Sequence, residues 1–425
     1  MPGVALCDNT TIVRISMLNK EGSPVQTEAT PGARAASQRR GVLVGLMFLG
    51  FISLGLPDGL LGVAWPSIAA SRGVGLDALG TLLAAGSVGF LSVSVLSGRL
   101  LARLGVGVLL ALSCAATAIS LLGFALAPSW WLLLPCALLL GAGGGAIDAG
   151  LNTYAAATSS PRVLTWLHGF YGVGATAGPA LMTGLLSSER PWQLGYALVG
   201  AGQLALAACF LLTRRRWAAD SASTIAMHGD DGSAGLRATL RLPSVWLGIA
   251  VFALYTGFEV TVGQWSYTLF TVGRGIDPAV AGGWISLYWF GLTAGRFVAG
   301  FIADRVRPAQ LLWGGAIGAL AGALLVGLVP TGWASVAGLL LTGFALAPIF
   351  PALIATTAER VGRSYAANAI GLQVAAANLG IAIIPWLVGR GVASVGPASI
   401  APAIVIVAFA YLALFAASTR ATSRR

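Results

Sequence analysis

Twelve apolar runs, each close to the length of a membrane-crossing helix, recur along this chain, and most are joined by short polar turns. Crossing the hydrocarbon core of a bilayer as an α-helix takes about 20 mainly apolar residues. No water is present there to satisfy the backbone, so only helices or closed barrels can span it. The runs fall near 41–70, 78–98, 106–127, 130–157, 163–187 and 192–213, then near 244–272, 279–302, 309–329, 332–358, 364–390 and 396–418. Of 425 residues, 57% are hydrophobic and 9% charged, whereas a soluble domain carries about 25% charged residues. That is too little charge to cover a water-exposed surface. The expectation is an all-α membrane protein whose twelve transmembrane helices form two six-helix bundles.

The charge pattern sets the expected orientation. The net charge of +11 would suggest a nucleic-acid partner in a soluble protein. Here the basic residues lie between apolar runs, where they orient the chain in the bilayer, so no nucleic-acid partner is expected. With the N-terminus in the cytoplasm, 21 basic residues fall inside, and only Arg72, Arg190, Arg274 and Arg390 fall outside. Both termini and the central linker are therefore expected in the cytoplasm of a cell (inner) membrane protein. The domains follow: a tail over 1–40, an N-terminal bundle over 41–213, a linker over 214–243, a C-terminal bundle over 244–418 and a tail over 419–425. Residues 1–40 lack the apolar core and small-residue cleavage site of a signal peptide, and Met17 offers a second start beside Met1. The cysteines Cys7, Cys114, Cys136 and Cys209 are scattered, so neither a disulfide framework nor a metal site is expected.

The two halves repeat. At an offset of 202, Gly98-Arg99-Leu100-Leu101-Ala102-Arg103 aligns with Gly300-Phe301-Ile302-Ala303-Asp304-Arg305, Gly169 with Gly371, and Gly178 with Gly380. At 201, Asp58 meets Glu259 and Gly62 meets Gly263. A duplicated six-helix unit places a substrate site at the interface of its copies.

These features resemble the major facilitator superfamily over essentially the whole chain from residue 41. Its loop motif G-x-x-x-D-R is degenerate at 98–103, where Ala102 replaces the Asp, and intact at 300–305. The resemblance implies two bundles rocking about a central cavity. It also implies a gating motif of Gly98, Arg103, Gly300, Asp304 and Arg305, with the second copy carrying the gate. Within the superfamily the chain is most similar to the fucose–proton symporter family. Asp148 and Asn152 in "GGGAIDAGLNTY" and Asp58 in "GLPDGLLGVAWP" match its acidic positions, and "YTGFEVTVGQW" and "GFALAPIFP" read like its helices seven and ten. His168 and Tyr171 stand where the sugar symporter carries amides.

Asp58, Asp148 and Glu259 are the acids deep inside the apolar runs. A charge there costs at least about 2.5–3.5 kcal/mol and persists where it faces a cavity or a partner. Low polarity disfavours the charged form of a carboxyl group, so such a group can take a proton from one side and release it to the other. Gly141, Gly145, Asp148 and Asn152 share one helical stripe, as do Tyr255, Glu259, Val262 and Ser266 on the seventh run. Proton coupling is assigned to Asp58, Asp148 and Glu259, the last as a third proton site or a substrate contact. Asn152, His168, Tyr171, Gln264, Trp265, Tyr288 and Gln373 are the candidate substrate contacts, with Gln373 preferred to Asn378, which lies about 140° away around its helix. Each has a plainer role open to it: Asp58 as a cap beside Pro57, Asp148 as a fixed partner of Asn152 or His168, Glu259 as a bond between bundles, and the aromatic residues as packing.

The expected function is proton-coupled symport of a small polar solute such as a sugar, by alternating access. The alternative is proton-driven export of drugs or metabolites, suggested by Gly174-Ala175-Thr176-Ala177-Gly178-Pro179. No phosphate loop, metal-ligand cluster or nucleophile–base pair occurs, so neither an enzyme nor a cofactor is expected beyond the proton gradient. The expected partners are a small-molecule solute, protons and the lipid bilayer, with the chain as a monomer.

Overall fold

Proline and glycine punctuate the helices. Pro161, Pro243, Pro278 and Pro308 each open a helix, at the one helical position where a missing N–H goes unnoticed. Gly105 and Gly275 separate helices with φ of 72° and 67°, which is open to glycine and strained for residues with a Cβ. The computed structural model describes residues 31–159, 161–221, 235–302, 305–329 and 331–423. Two compact units result, Met1–Gly45 and Leu46–Arg425. The described part of the first is helical, and the following account concerns the second.

In chain order the helices are α1 (Pro31–Arg72), α2 (Ala78–Leu104), α3 (Val106–Leu126), α4 (Trp130–Thr158), α5 (Pro161–Ser187) and α6 (Trp192–Ser221). After the short α7 (Leu236–Thr239) come α8 (Pro243–Thr268), continued by a π turn to Gly273, α9 (Pro278–Ile302) and α10 (Pro308–Leu328). The chain ends with α11 (Gly332–Leu346), α12 (Ile349–Ala355), α13 (Thr357–Val361), α14 (Arg363–Val395) and α15 (Ile400–Ser423). Among the described residues eleven helical segments are long and apolar enough to cross a membrane, with α11 and α12 forming one of them. The twelfth, α5, is more polar because it is sheltered: Gly174 and Gly178 lie against α1, and Gly172 lies against Thr293 of α9. The protein is thus a multi-pass, all-helical membrane protein.

Three boundaries differ from the sequence expectation: α1 begins at Pro31 rather than at 41, inside the expected tail over 1–40, and two others differ for local reasons. The tenth run, expected as one helix over 332–358, breaks at Ala347-Pro348, because a proline inside a helix removes a donor and crowds the preceding turn. Helix α6 continues through Arg214–Arg216, with Trp217 packed on Phe210 and Tyr154. Arg296, counted among the inside basic residues, lies within the expected run over 279–302 and within α9, so the basic tally of 21 to 4 becomes 20 to 4. The N-terminal tail up to residue 30 with Met17, His228 of the linker, and Asp304 of the gating motif lie outside the described residues.

Helices α1–α6 form one bundle, in which α2 and α3 pack on α4, and α3 packs on α6. The second bundle pairs α8 with α14 and α15, α9 with α11, and α10 with α11 and α15. The duplication is visible in the packing. Gly178 lets α5 touch the backbone of α1, and its repeat mate Gly380 lets α14 touch the backbone of α8. Gly62 and its mate Gly263 meet each other, so that a Cβ on Gly62 would lie 2.8 Å from the Gly263 carbonyl. Pro57 in α1 leaves the Ser53 carbonyl without a helical donor, and Gln203 Nε2 of α6 supplies one at 3.0 Å.

The bundles meet through α5 on α9 and α2 on α14, including at the end carrying the 73–77, 188–191 and 274–277 turns. There Gly80 packs on Trp386, Gly389 on Asp77, and Gly282 on Thr183. Toward the other end, which carries Arg103, Arg305 and Arg363, Gly98 of α2 and Gly371 of α14 meet nothing within 4 Å. Helix contact without a Cβ is what holds α4 on α2, since a side chain at Gly141 would overlap the Gly86 carbonyl. Gly141→Val should therefore destabilise the purified protein by about 1–3 kcal/mol, read as a lower thermal midpoint in detergent. Gly184→Ala, which meets nothing within 4 Å, should leave the midpoint unchanged.

Candidate functional site

A cavity of about 370 Å³ lies between the bundles, bounded by helices from both halves. Asp58 of α1, Asp148 of α4, His168 and Tyr171 of α5, and Glu259 and Gln264 of α8 all line it. The sequence therefore found six of its polar wall residues. Asp58 sits midway along α1 yet is exposed, because its carboxyl faces this hollow.

The three acids have different surroundings. Asp58 Oδ2 accepts a 2.6 Å hydrogen bond from the Tyr171 hydroxyl, and its backbone carbonyl accepts one from Gln264 Nε2 at 2.9 Å. Asp148 Oδ1 accepts a 3.0 Å bond from Asn152 Nδ2, one helical turn on. Neither has a cationic partner among the described residues. Glu259 does: Arg296 Nη2 of α9 lies 3.5 Å from its Oε1, and the Tyr255 hydroxyl donates to its Oε2 at 2.5 Å. The Arg296 guanidinium also stands 5.6 Å from the centroid of the Tyr171 ring, and its Nη1 donates to the His168 carbonyl at 3.4 Å. A polar path thus crosses from Asp58 through Tyr171 and Arg296 to Glu259, joining the two bundles through side chains that water in the cavity can reach.

Other expected contacts stand back from the cavity. Asn152 serves Asp148. Trp265 is buried and donates to the Pro385 carbonyl at 3.1 Å, tying α8 to α14. Tyr288 is buried and donates to the Glu259 carbonyl at 2.8 Å, holding that turn of α8 in place. Gln373, preferred in the sequence analysis, accepts a 2.9 Å bond from Thr357 and stays outside the wall. Asn378 lies on the wall instead, with its Nδ2 on the Val374 carbonyl at 3.1 Å. Of the gating motif, Gly98, Arg103, Gly300 and Arg305 are exposed.

Arg296, Trp289 and Gln203 are wall residues that the sequence reading did not single out. The signal for Arg296 was present, since it lies inside the run over 279–302. The cost of burying a charge applies to a cation as it does to an acid. Gln203 carried the same signal, as an amide inside the run over 192–213, whereas Trp289 looks like a packing residue in sequence and only the direction of its helix brings it to the cavity.

Two repeated six-helix bundles enclosing a charged hollow in the membrane define a transporter fold. The chain belongs to the Major Facilitator Superfamily, which it matches over residues 47–385. It is 26% identical over 291 residues to a glucose/mannose transporter of Bacillus subtilis, covering 66% of this chain and 70% of that one. It is also 26% identical over 414 residues to a 3-(3-hydroxy-phenyl)propionate transporter of Escherichia coli, covering 91% and 96%. Among solved structures it shares the fold of a D-xylose-proton symporter, with a TM-score of 0.67, 15% identity, and 87% and 96% of the two chains covered.

The wall and the second layer predict different mutant behaviour. Gln373→Leu should cost about 1 kcal/mol of stability through the lost bond to Thr357 while leaving the apparent KM for cargo unchanged. Asn378→Ala should raise that KM with little change in melting. Uptake kinetics and thermal melts of the two variants separate the roles.

Proposed function

We propose that this chain is a proton-coupled secondary transporter that carries a small polar solute by alternating access, with its basic end toward the cytoplasm. The observation that carries the reading is that Asp58 and Asp148 both face the cavity and have no cationic partner among the described residues. A carboxyl group held by one neutral donor can lose and regain a proton without breaking an ion pair. Glu259, held by Arg296, is a third proton site or a cargo contact. The basic turns support the orientation, because cytoplasmic loops carry the excess of arginine and lysine.

The relatives' names support a small solute: a hexose for one, an aromatic acid for another, and D-xylose with a proton for the solved structure. The likeness to the fucose–proton symporter family at Asp58, Asp148 and Asn152 supports symport with a sugar among the candidate cargoes. In the stretch from Gly174 to Pro179, which suggested export, Gly174 and Gly178 pack on α1.

Asp148→Asn tests the coupling. In proteoliposomes it should abolish accumulation driven by an imposed proton gradient while preserving exchange of solute across the membrane. Undiminished accumulation by this variant would remove Asp148 from the proton path.

A further inference from the structure

Arg296 is the arginine on the cavity wall. A guanidinium carries five N–H donors in a fixed plane that suits carboxylates bidentately. In this protein it makes one ion-pair contact at 3.5 Å and one bond to a carbonyl at 3.4 Å, both at the long limit of such contacts. Its side chain is 15% exposed and lines the cavity. A largely buried cation with spare donors beside a hollow is poorly explained by stability, since a buried ion pair seldom repays its desolvation.

The rest of the wall narrows what Arg296 would meet. Much of it is hydrocarbon, from Leu54, Leu61, Phe90, Val260 and Phe350 among others. The hydroxyls of Ser53, Thr117 and Thr256 are committed to backbone carbonyls. Three unpartnered polar atoms belong to wall residues: Oε1 of Gln203, 2% exposed, Oε1 of Gln264, 3% exposed, and Nε1 of Trp289, 2% exposed. Trp289 precedes Arg296 by seven residues on α9, a rise of about 10 Å. Among the wall's polar side chains, which include Asp58, Asp148, His168, Tyr171 and Asn378, the Arg296 fork is the group that suits an anionic cargo, and the hydrocarbon suits an apolar body.

We propose that Arg296 binds the carboxylate of the cargo, and that the cargo is a small monocarboxylic acid with an apolar or aromatic body, admitted when Glu259 exchanges its ion pair for a proton. The proposal rests on the proton-coupled reading and deepens it. The step balances. Before it, Glu259 and Arg296 neutralise each other. Afterwards a proton from water sits on the Glu259 carboxyl group, Arg296 holds the cargo anion, and the site is again neutral. One proton and one anion enter together. The groups facing Glu259 are Arg296 and Tyr288 from α9, Tyr255 from its own helix and Tyr171 from α5, with Asp58 of α1 reached through Tyr171. Asn378 on α14 is uncharged. Acidification therefore favours binding by removing the anion that competes for Arg296.

The experiment uses the full-length protein in detergent and in proteoliposomes. The probes are benzoate, 4-hydroxyphenylacetate and 3-phenylpropionate, the neutral amides of each, and D-glucose. Calorimetric binding of at least one acid is expected to strengthen from about pH 8 to about pH 6, a window above the ordinary carboxyl range of the probes, with no binding of its amide. Arg296→Gln should weaken that acid roughly 100-fold, and Arg296→Lys, which keeps the charge without the fork, should give a smaller loss. Glu259→Gln should bind the acid with the same affinity at both pH values. Thermal melts identify variants that misfold, in which case the amide comparison on the native protein decides. Equal binding of acid and amide, no binding of any acid, or unchanged affinity in Arg296→Gln would overturn the proposal. If D-glucose is accumulated under a proton gradient while the acids are ignored, the carboxylate inference falls and the proton-coupled reading stands. If an acid binds as described but no proton gradient accumulates it, the proton-coupled reading falls and the Arg296 site stands.

Discussion

Hydrocarbon does not solvate polar groups, and the architecture follows from that one constraint. Every backbone donor and acceptor in the membrane has to be met inside the protein, which is why the chain is helical almost throughout and why departures from helix are individually repaired. Pro57 frees the Ser53 carbonyl, and Gln203 reaches across from α6 to occupy it. The Trp265 indole donates to the Pro385 carbonyl in α14, so a side chain that reads as packing also serves the backbone. The break at Pro348 lies next to Phe350, on the cavity wall rather than against lipid.

Because lipid offers no hydrophobic drive for one helix to seek another, close approach has to come from small residues. The glycines are placed accordingly. Gly178 and Gly380 make equivalent contacts in the two bundles, and Gly62 and Gly263 meet where the bundles touch. Packing of this kind ties the bundles together at Gly80, Gly282 and Gly389, and also at Gly169 and Gly172 of α5 on α9, while Gly98 and Gly371 meet nothing within 4 Å. The repeat supplies both halves of the contact. It also explains why Asp58 and Glu259, related by the duplication, lie on opposite walls of one cavity.

The same constraint sorts the charges. An acid in hydrocarbon is tolerated where it meets water or a partner. Asp58 and Asp148 meet the cavity with neutral donors, and Glu259 meets Arg296. Their differing surroundings separate two carboxyl groups each held by a neutral side-chain donor from one paired with a guanidinium. Tyr171 stands between them, donating to Asp58 while its ring faces the Arg296 guanidinium.

Spans, bundles and the duplicated unit were legible in the sequence, because hydropathy and glycine spacing act locally and a bilayer enforces them segment by segment. The three acids and the cavity places of His168, Tyr171 and Gln264 were legible for the same reason, since a polar residue in an apolar run is costly wherever it points. The sequence could not say which of two polar residues on one helix faces the cavity. Gln373 and Asn378 are equally conspicuous in α14, and the choice between them depends on how that helix is rotated against α8 and α2. Nor could it pair Glu259 with Arg296, or Asp58 with Tyr171, 113 positions apart. Those partnerships are set by how helices distant in sequence come together, and that rests on packing summed over the whole molecule rather than on any local pattern.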